Sequence, residues 1–118
     1  MTLIADLLAA LQIEIARRPY FIRHEVLEQS ANLLKARIYI SDTLFIQVYR
    51  NDRFDTTSLA LIYNSARIYA RDQLGGKWHR HEYQSLESHD TSPAGRKTVT
   101  FAEFLDEVES LLAELGLP

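Results

Sequence analysis

The residues best suited to chemistry are histidines that lie close together in the second half of the chain. If the segment around Trp78 is a strand, His79 and His81 project from the same face, because side chains alternate along a strand. Two imidazoles on one face can perform acid–base chemistry near neutral pH or hold a metal ion. A third metal ligand could come from His89, Asp90 or Asp72.

The turn at Gly75-Gly76 decides which residues surround these histidines. A two-residue turn places Asp72 opposite His79, where the carboxylate can orient the imidazole, but turns Trp78 away from the core. A three-residue turn pairs Leu74 with Trp78 and buries the tryptophan. The glycines favour the first turn, the apolar area of Trp78 favours the second, and we expect the second. Under either turn, the predicted catalytic residues are His79, His81, Tyr83 and Asp72.

A second set of residues is basic and aromatic and alternates out of phase with the apolar positions. Arginine beside exposed aromatic rings can hold phosphates and stack bases. The predicted nucleic-acid-binding residues are Lys35, Arg37, Arg67, Arg71, Arg80 and Tyr69. The alternative is that this face is a dimer interface or is covered by a helix. Exposed Tyr39, Phe45 and Tyr49 predict self-association, since two-fold pairing is the usual way to cover such a patch.

The segment 50–58 is charged and contains no glycine. Asp52 and Asp55 could share a cation if the loop folds back on itself. A turn with a surface Arg–Asp pair accounts equally well for the same residues, and we favour it.

Both ends of the chain are predicted to be helices. Apolar residues at helical spacing indicate a first helix over residues 2–18, with Thr2 as its N-cap and Pro19 ending it. Thr100 and Glu103 have the spacing of a capping box that opens a second helix. Gly116 stands where a C-terminal glycine cap belongs.

Between the helices, period-two patterns predict five or six antiparallel strands in a meander. The segments are 20–29, 34–40, 44–49, 59–63, 68–70 and 77–83. We expect a three-residue turn at 41–43, so that Ile40 and Leu44 share a face. A two-residue turn at 64–65 would pair Leu61 with Ile68. The same turn would pair Leu59 with Ala70. The fold class is therefore α+β, in one domain over residues 1–118.

Composition excludes several classes of protein. The 118 residues contain no cysteine, which removes disulfides, thiol catalysis and cysteine-ligated metals. A net charge of −3 does not suit a chain built wholly as a polycation. With no targeting signal, no apolar span and no cysteine, we predict a cytoplasmic protein that contacts no membrane. The sequence also has no glycine-rich phosphate loop and no zincin helix motif. We assign it no cofactor and no metal.

The residues Tyr69 and Asp72, then Gly75-Gly76, then Trp78-His79-Arg80-His81 and His89 resemble the TumE-like family of bacterial toxin–antitoxin proteins. The segment 99–104 resembles the start of that family's final helix, and the likeness spans about residues 33–112. The resemblance implies a small cytoplasmic protein that acts on RNA or pairs with a cognate antitoxin protein. We therefore expect a toxin–antitoxin-type protein that binds or acts on RNA. The alternative is a non-enzymatic interaction module that dimerises.

Overall fold

The computed structural model describes residues 3–83, 86 and 88–117. Its elements confirm the predicted α+β fold, with a six-stranded antiparallel meander in which each strand pairs with the next along the chain. In chain order they are α1 (Ile4–Arg17), β1 (Arg23–Gln29), β2 (Leu33–Ser41), β3 (Leu44–Asn51), β4 (Thr56–Tyr63), β5 (Ala66–Leu74), β6 (Lys77–His81) and α2 (Phe101–Leu115). Neither helix is long and apolar enough to cross a membrane.

The ends of α2 follow the predicted signals. The Thr100 side chain accepts from the Glu103 backbone amide, and the Glu103 carboxylate accepts from the Thr100 amide, which completes the capping box. Gly116 closes the helix with a φ of 68°, a left-handed conformation that glycine adopts without strain. Helix α1 begins at Ile4 after Leu3, which makes no side-chain cap, and the predicted cap Thr2 lies outside the described residues.

Both helices pack on one face of the sheet. The buried cluster on this helix-covered face contains Ile38, Ile46, Leu61 and Ile68 from the strands together with apolar residues of both helices. Phe104 of α2 is fully buried at its centre. The opposite face, which we call the outer face, carries the alternate side chains of each strand.

The β2–β3 hairpin keeps the predicted phase through a different turn. Ile38 lies opposite Ile46, as expected for two core positions. The turn itself has two residues rather than three, because Ser41 pairs with Leu44. Ile40 is then the extra residue of a β-bulge, which restores the phase that the shorter turn would have inverted.

A second β-bulge, at Ile68, changes the register of β5. The two-residue turn at Asn64-Ser65 forms as predicted, with Tyr63 opposite Ala66. Beyond it, Leu61 lies opposite Tyr69 rather than Ile68, and Leu59 lies opposite Arg71 rather than Ala70, so the predicted pairing is wrong. Because one residue is inserted, every later side chain of β5 changes face relative to the prediction.

This bulge also settles the turn at Gly75-Gly76. The turn has two residues, since Leu74 lies opposite Lys77, so our preference for three residues is wrong. Trp78 is nevertheless buried, at 7% exposure, within the core cluster. Turn chemistry and the burial of Trp78 favoured different turns, and the inserted residue in β5 satisfies both.

The loop after β3 also differs from the expected surface pair. Arg50 is fully buried, and its guanidinium donates to Asp52 at 2.8 Å and to Asp55 at 3.0 Å. The same guanidinium donates to Thr57 and Gln73 on neighbouring strands. The two aspartates therefore do share a cation, and that cation is an arginine of their own hairpin.

Candidate metal centre

The site lies on the outer face, at the edge of the sheet formed by β6. Strand β6 projects His79 and His81 away from the helices, whereas Arg80 between them points to the helix-covered face. The β5–β6 register places Asp72 directly opposite His79. Its Oδ2 atom lies 3.7 Å from Nε2 of His79 and 3.4 Å from Nε2 of His81. One carboxylate oxygen thus faces two imidazole nitrogens.

A third histidine joins them through a short extended segment beside β6. The backbones of Arg80 and Asp90 exchange two hydrogen bonds, of 3.2 and 2.9 Å, which form an antiparallel bridge. That bridge places His89 across from His81 on the outer face. The His89 ring lies 4.6 Å from His79 and 4.9 Å from His81, between ring centroids. One ligand nitrogen from each of the three lies within 4.8 Å of the others.

Two neighbouring groups orient this cluster. Nδ1 of His81 lies 2.7 Å from the carbonyl oxygen of Leu86, so this nitrogen carries the proton and donates. Nε2 of His81 is therefore left with its lone pair directed at the cluster. The Ser58 hydroxyl donates to Oδ1 of Asp72 at 2.8 Å, which leaves Oδ2 as the oxygen that faces the imidazoles.

Burial favours the neutral form of the His79 imidazole. Burial lowers the pKa of His79 below its ordinary value, although the nearby Asp72 carboxylate acts in the opposite direction. The segment carrying His89 is held by Asp90, whose pKa falls to about 2 because of its hydrogen bonds to Ser92 and the Arg80 guanidinium. Burial thus favours the unprotonated form of His79, which is the form that binds metals.

The separations fit metal coordination better than hydrogen bonding. A hydrogen bond from an imidazole to a carboxylate is about 2.7–2.9 Å long, shorter than either contact to Asp72. Ligands about 2.1 Å from a tetrahedral zinc ion lie roughly 3.4 Å from each other. The contact between Asp72 and His81 has that length, and the one to His79 is close to it.

Of the four predicted catalytic residues, the structure brings together His79, His81 and Asp72. Tyr83 lies apart from them and is 43% exposed. It lines a cavity of about 450 Å³ on the helix-covered side, together with Tyr69 and Leu111 of α2. Tyr83 therefore does not share a site with the histidines.

The predicted nucleic-acid-binding residues divide between the two faces. Lys35, Arg37 and Arg67 lie on the outer face, in the same rows as Tyr49, Gln47 and Ile62 respectively, a placement read from the strand register. The outer-face placement of Tyr69 and Arg71 is wrong, because the bulge in β5 turns both toward α2.

Tyr69 and Arg71 are buried and committed to one partner. Both donate to the Glu107 carboxylate, Tyr69 at 2.7 Å and Arg71 at 2.9 and 2.7 Å. Burial and the Glu107 hydrogen bond raise the pKa of Tyr69 to about 12. Arg80 also lies on this side and pairs with Asp90. These three residues support the packing of α2 and the segment after β6 rather than facing a ligand on the outer face.

The aromatic patch predicted to drive self-association is smaller than expected. Tyr39 is buried at 5% exposure, because the Arg23 guanidinium covers its ring at 3.7 Å and its hydroxyl donates to Glu25. Phe45 is half-buried, with its ring 5.0 Å from that of Tyr39. Self-association stays a prediction.

Sequence reasoning left the third ligand open and missed the supporting groups. His89, Asp72 and Asp90 were equal candidates, and the structure places His89 and Asp72 in the cluster. Ser58 and Leu86 carried no signal in the sequence. Ser58 reaches Asp72 only because β4 and β5 pair in the register that the bulge sets.

No family model, curated protein or solved structure matches this chain. The resemblance to the TumE-like family therefore stays a prediction. What the protein does has to be argued from the chemistry of its site, since a fold of this kind hosts unrelated functions.

Proposed function

We propose that this protein binds a divalent transition-metal ion through His79, His81, His89 and Asp72. The observation that carries the proposal is that ligand nitrogens of His79, His81 and His89 lie within 4.8 Å of one another on the outer face, with Oδ2 of Asp72 beside two of them. Oδ2 of Asp72 lies 3.7 Å from His79 and 3.4 Å from His81, longer than a hydrogen bond, and these three residues are shielded from solvent.

The ligand types select the ion. Imidazole nitrogen suits Zn²⁺, Cu²⁺, Ni²⁺ and iron, whereas Mg²⁺ and Ca²⁺ take oxygen ligands. A set of three histidines with one carboxylate offers four ligands, which suits the tetrahedral geometry of Zn²⁺. Zn²⁺ is therefore the ion that this site fits best.

The proposal departs from our expectation of a metal-free site for acid–base chemistry. A histidine that works as a general base is oriented by a carboxylate within hydrogen-bond distance. Here Oδ2 of Asp72 lies 3.4 and 3.7 Å from two different imidazoles and hydrogen-bonds to neither. The Asp72 carboxylate beside these imidazole nitrogens favours a bound cation.

The test is calorimetric titration of the metal-free protein with Zn²⁺. We expect one ion per chain. His81→Ala should weaken binding by more than about 100-fold, the upper end for loss of a mere outer-shell partner. Asp72→Asn should also weaken it, because the amide is neutral. His24→Ala is the matched control, since His24 is an exposed histidine of β1 on the far edge of the sheet.

Two outcomes contradict the proposal. One is that Zn²⁺ fails to bind the unmodified protein at micromolar concentration. The other is that His81→Ala and His24→Ala reduce the affinity equally, which would indicate adventitious binding to surface imidazoles.

The toxin–antitoxin role, the cytoplasmic location and the rival role as an interaction module stay predictions, and one experiment bears on the first and last. A toxin should arrest growth when the protein is expressed alone, whereas an interaction module should not. If the metal centre carries the toxicity, His81→Ala should restore growth and His24→Ala should not. Growth that is normal with the unmodified protein rules against the toxin role.

A further inference from the structure

We infer that the metal centre takes a phosphate-ester ligand whose oxygens contact both the bound ion and the Arg67 guanidinium. The inference rests on the proposed function, because the ion supplies one of the two contacts. It adds Arg67 as the residue that recognises the ligand, and it names the chemical class that the centre accepts.

Arg67 stands beside the centre with donors to spare. Its Nη1 atom lies 3.8 Å from Oδ2 of Asp72, which is too long for a hydrogen bond. Its side chain is 41% exposed. Among the described residues, Asp72 is the one carboxylate within ion-pair distance of Arg67, and Asp72 is itself a proposed metal ligand. Arg67 therefore adds positive charge next to the ion.

The centre opens to solvent on one side. His79 and His81 are buried, at 7% and 4% exposure, whereas His89 is exposed. A ligand can therefore approach the ion past His89 and Arg67. Three histidines are a ligand set of the catalytic kind, in which the fourth position is exchangeable and the ion can become five-coordinate. A phosphate oxygen can therefore displace Asp72 from the ion or add as a fifth ligand.

The charge balance favours an anion. Three neutral imidazoles, one carboxylate and a divalent cation sum to one positive charge, and Arg67 brings the total to two. A phosphate ester matches this site because one unesterified oxygen can bind the ion while a second accepts two N–H bonds from the planar guanidinium.

A second cation on the same face favours a ligand with more than one phosphate. The register runs from His81 through Ala70, Ala60 and Gln47 to Arg37, one residue from each strand. Four strand spacings of about 4.8 Å place Arg37 roughly 19 Å from His81. Among the described residues, Nε of Arg37 is buried without a hydrogen-bond partner. The short side chains of Ala70 and Ala60 leave the sheet surface beside His81 unobstructed.

The experiment uses the full chain loaded with Co²⁺ in place of Zn²⁺, because the visible absorption and the paramagnetism of Co²⁺ can both be measured. The visible absorption of Co²⁺ shows whether the four protein ligands bind the ion. Inorganic phosphate is then added, and the paramagnetic relaxation of its ³¹P resonance measures its distance from the ion. We expect relaxation that corresponds to a phosphate bound directly to Co²⁺.

Arg67→Gln separates the inference from the proposed function. This variant should keep the Co²⁺ absorption of the unmodified protein and weaken phosphate binding by about 10-fold or more, as for loss of a charge-assisted bidentate contact. Arg53→Gln is the control, because Arg53 is an exposed arginine of the β3–β4 loop, away from the centre. It should change neither measurement.

A single-stranded pentauridylate in place of inorganic phosphate distinguishes the two sources of the phosphate group. If the natural ligand is a phosphodiester chain, the oligonucleotide binds more tightly than phosphate, and Arg37→Gln weakens only the oligonucleotide. If it is a free phosphate or a small ester, Arg37→Gln has no effect on either probe. Both results support the phosphate-ester site.

Three outcomes overturn the inference. Without the Co²⁺ absorption, the proposed function and this inference both fail. With the absorption but no ³¹P relaxation, the metal site stands and the phosphate inference fails. If Arg67→Gln binds phosphate as tightly as the Arg53→Gln control, Arg67 does not recognise the ligand.

Discussion

The two faces of the sheet treat buried polar groups in opposite ways. On the helix-covered face, Arg50 and Arg71 are almost wholly buried, and each donates to carboxylates at 2.7–3.0 Å. On the outer face, His79 and His81 are buried to a similar degree, yet their nitrogens lie 3.4–3.7 Å from Asp72 without a hydrogen bond. Burial alone therefore does not mark the functional site.

The difference lies in what satisfies each group. A buried arginine that is fully paired stabilises one arrangement of the chain and has no donor left for a ligand. The Nε2 atoms of His79 and His81 instead face Asp72 from beyond hydrogen-bond distance, and the metal-binding proposal rests on this arrangement. The helix-covered face is therefore held together by paired charges, and the outer face carries the residues of the proposed metal site.

The largest expected effect tests the helix-covered face. Phe104→Ala should lower the free energy of unfolding by about 3–5 kcal/mol, because a fully buried ring leaves a cavity. Urea denaturation measures the change, and Phe54→Ala, at an exposed ring, should cost less than about 0.5 kcal/mol. Equal losses would show that α2 does not bury Phe104.

Glu107→Ala should have the next largest effect. It leaves the buried Arg71 guanidinium without its carboxylate, which costs about 3 kcal/mol for a buried pair. Thermal and urea unfolding measure the loss, with Glu114→Ala as the control at an exposed glutamate of the same helix. Unchanged Zn²⁺ affinity in the folded variant would show that the metal site is independent of the helix-covered face. A loss of affinity as large as that of His81→Ala would show that it depends on that face.

Ser58→Ala should have the opposite pattern of effects, with a clear loss of Zn²⁺ affinity and a small loss of stability. Without the Ser58 hydroxyl, Asp72 loses the bond that directs Oδ2 at the imidazoles, so Zn²⁺ affinity should fall by about 10-fold. The free energy of unfolding of the metal-free protein should fall by only about 1 kcal/mol. Ser110→Ala, at an exposed serine of α2, serves as the control for both measurements. An unchanged affinity would mean that Asp72 is not a ligand.

The smallest effect is expected for His89→Ala in the metal-free protein. His89 is exposed, so its removal should change the free energy of unfolding by less than about 0.5 kcal/mol. Zn²⁺ should raise the Tm of the unmodified protein, because the ion binds the folded state, and His89→Ala should lose most of that rise. A rise that survives in the variant would remove His89 from the ligand set.

Local sequence chemistry is sufficient to place the helices, the strands and the core. Thr100, Glu103 and Gly116 define both ends of α2 through contacts within a few residues, so local chemistry suffices to place them. The alternation of Ile38 and Ile46 with polar neighbours likewise assigns them to the buried face. The spacing of His79 and His81 put two imidazoles on one side of a strand without any knowledge of the fold.

The strand registers depend on contacts between distant segments, and the registers determine which residues meet at the site. The bulge at Ile68 sends Tyr69 and Arg71 to the helices and Asp72 to the histidines, and no local pattern marks it. The extra residue in β5 allows Trp78 to be buried while the turn at Gly75-Gly76 keeps two residues. His89 joined the cluster through a bridge between Arg80 and Asp90, a contact between segments that the sequence pattern does not connect. Such contacts depend on how distant strands pair, which is why the residue types were visible in the sequence and their meeting was not.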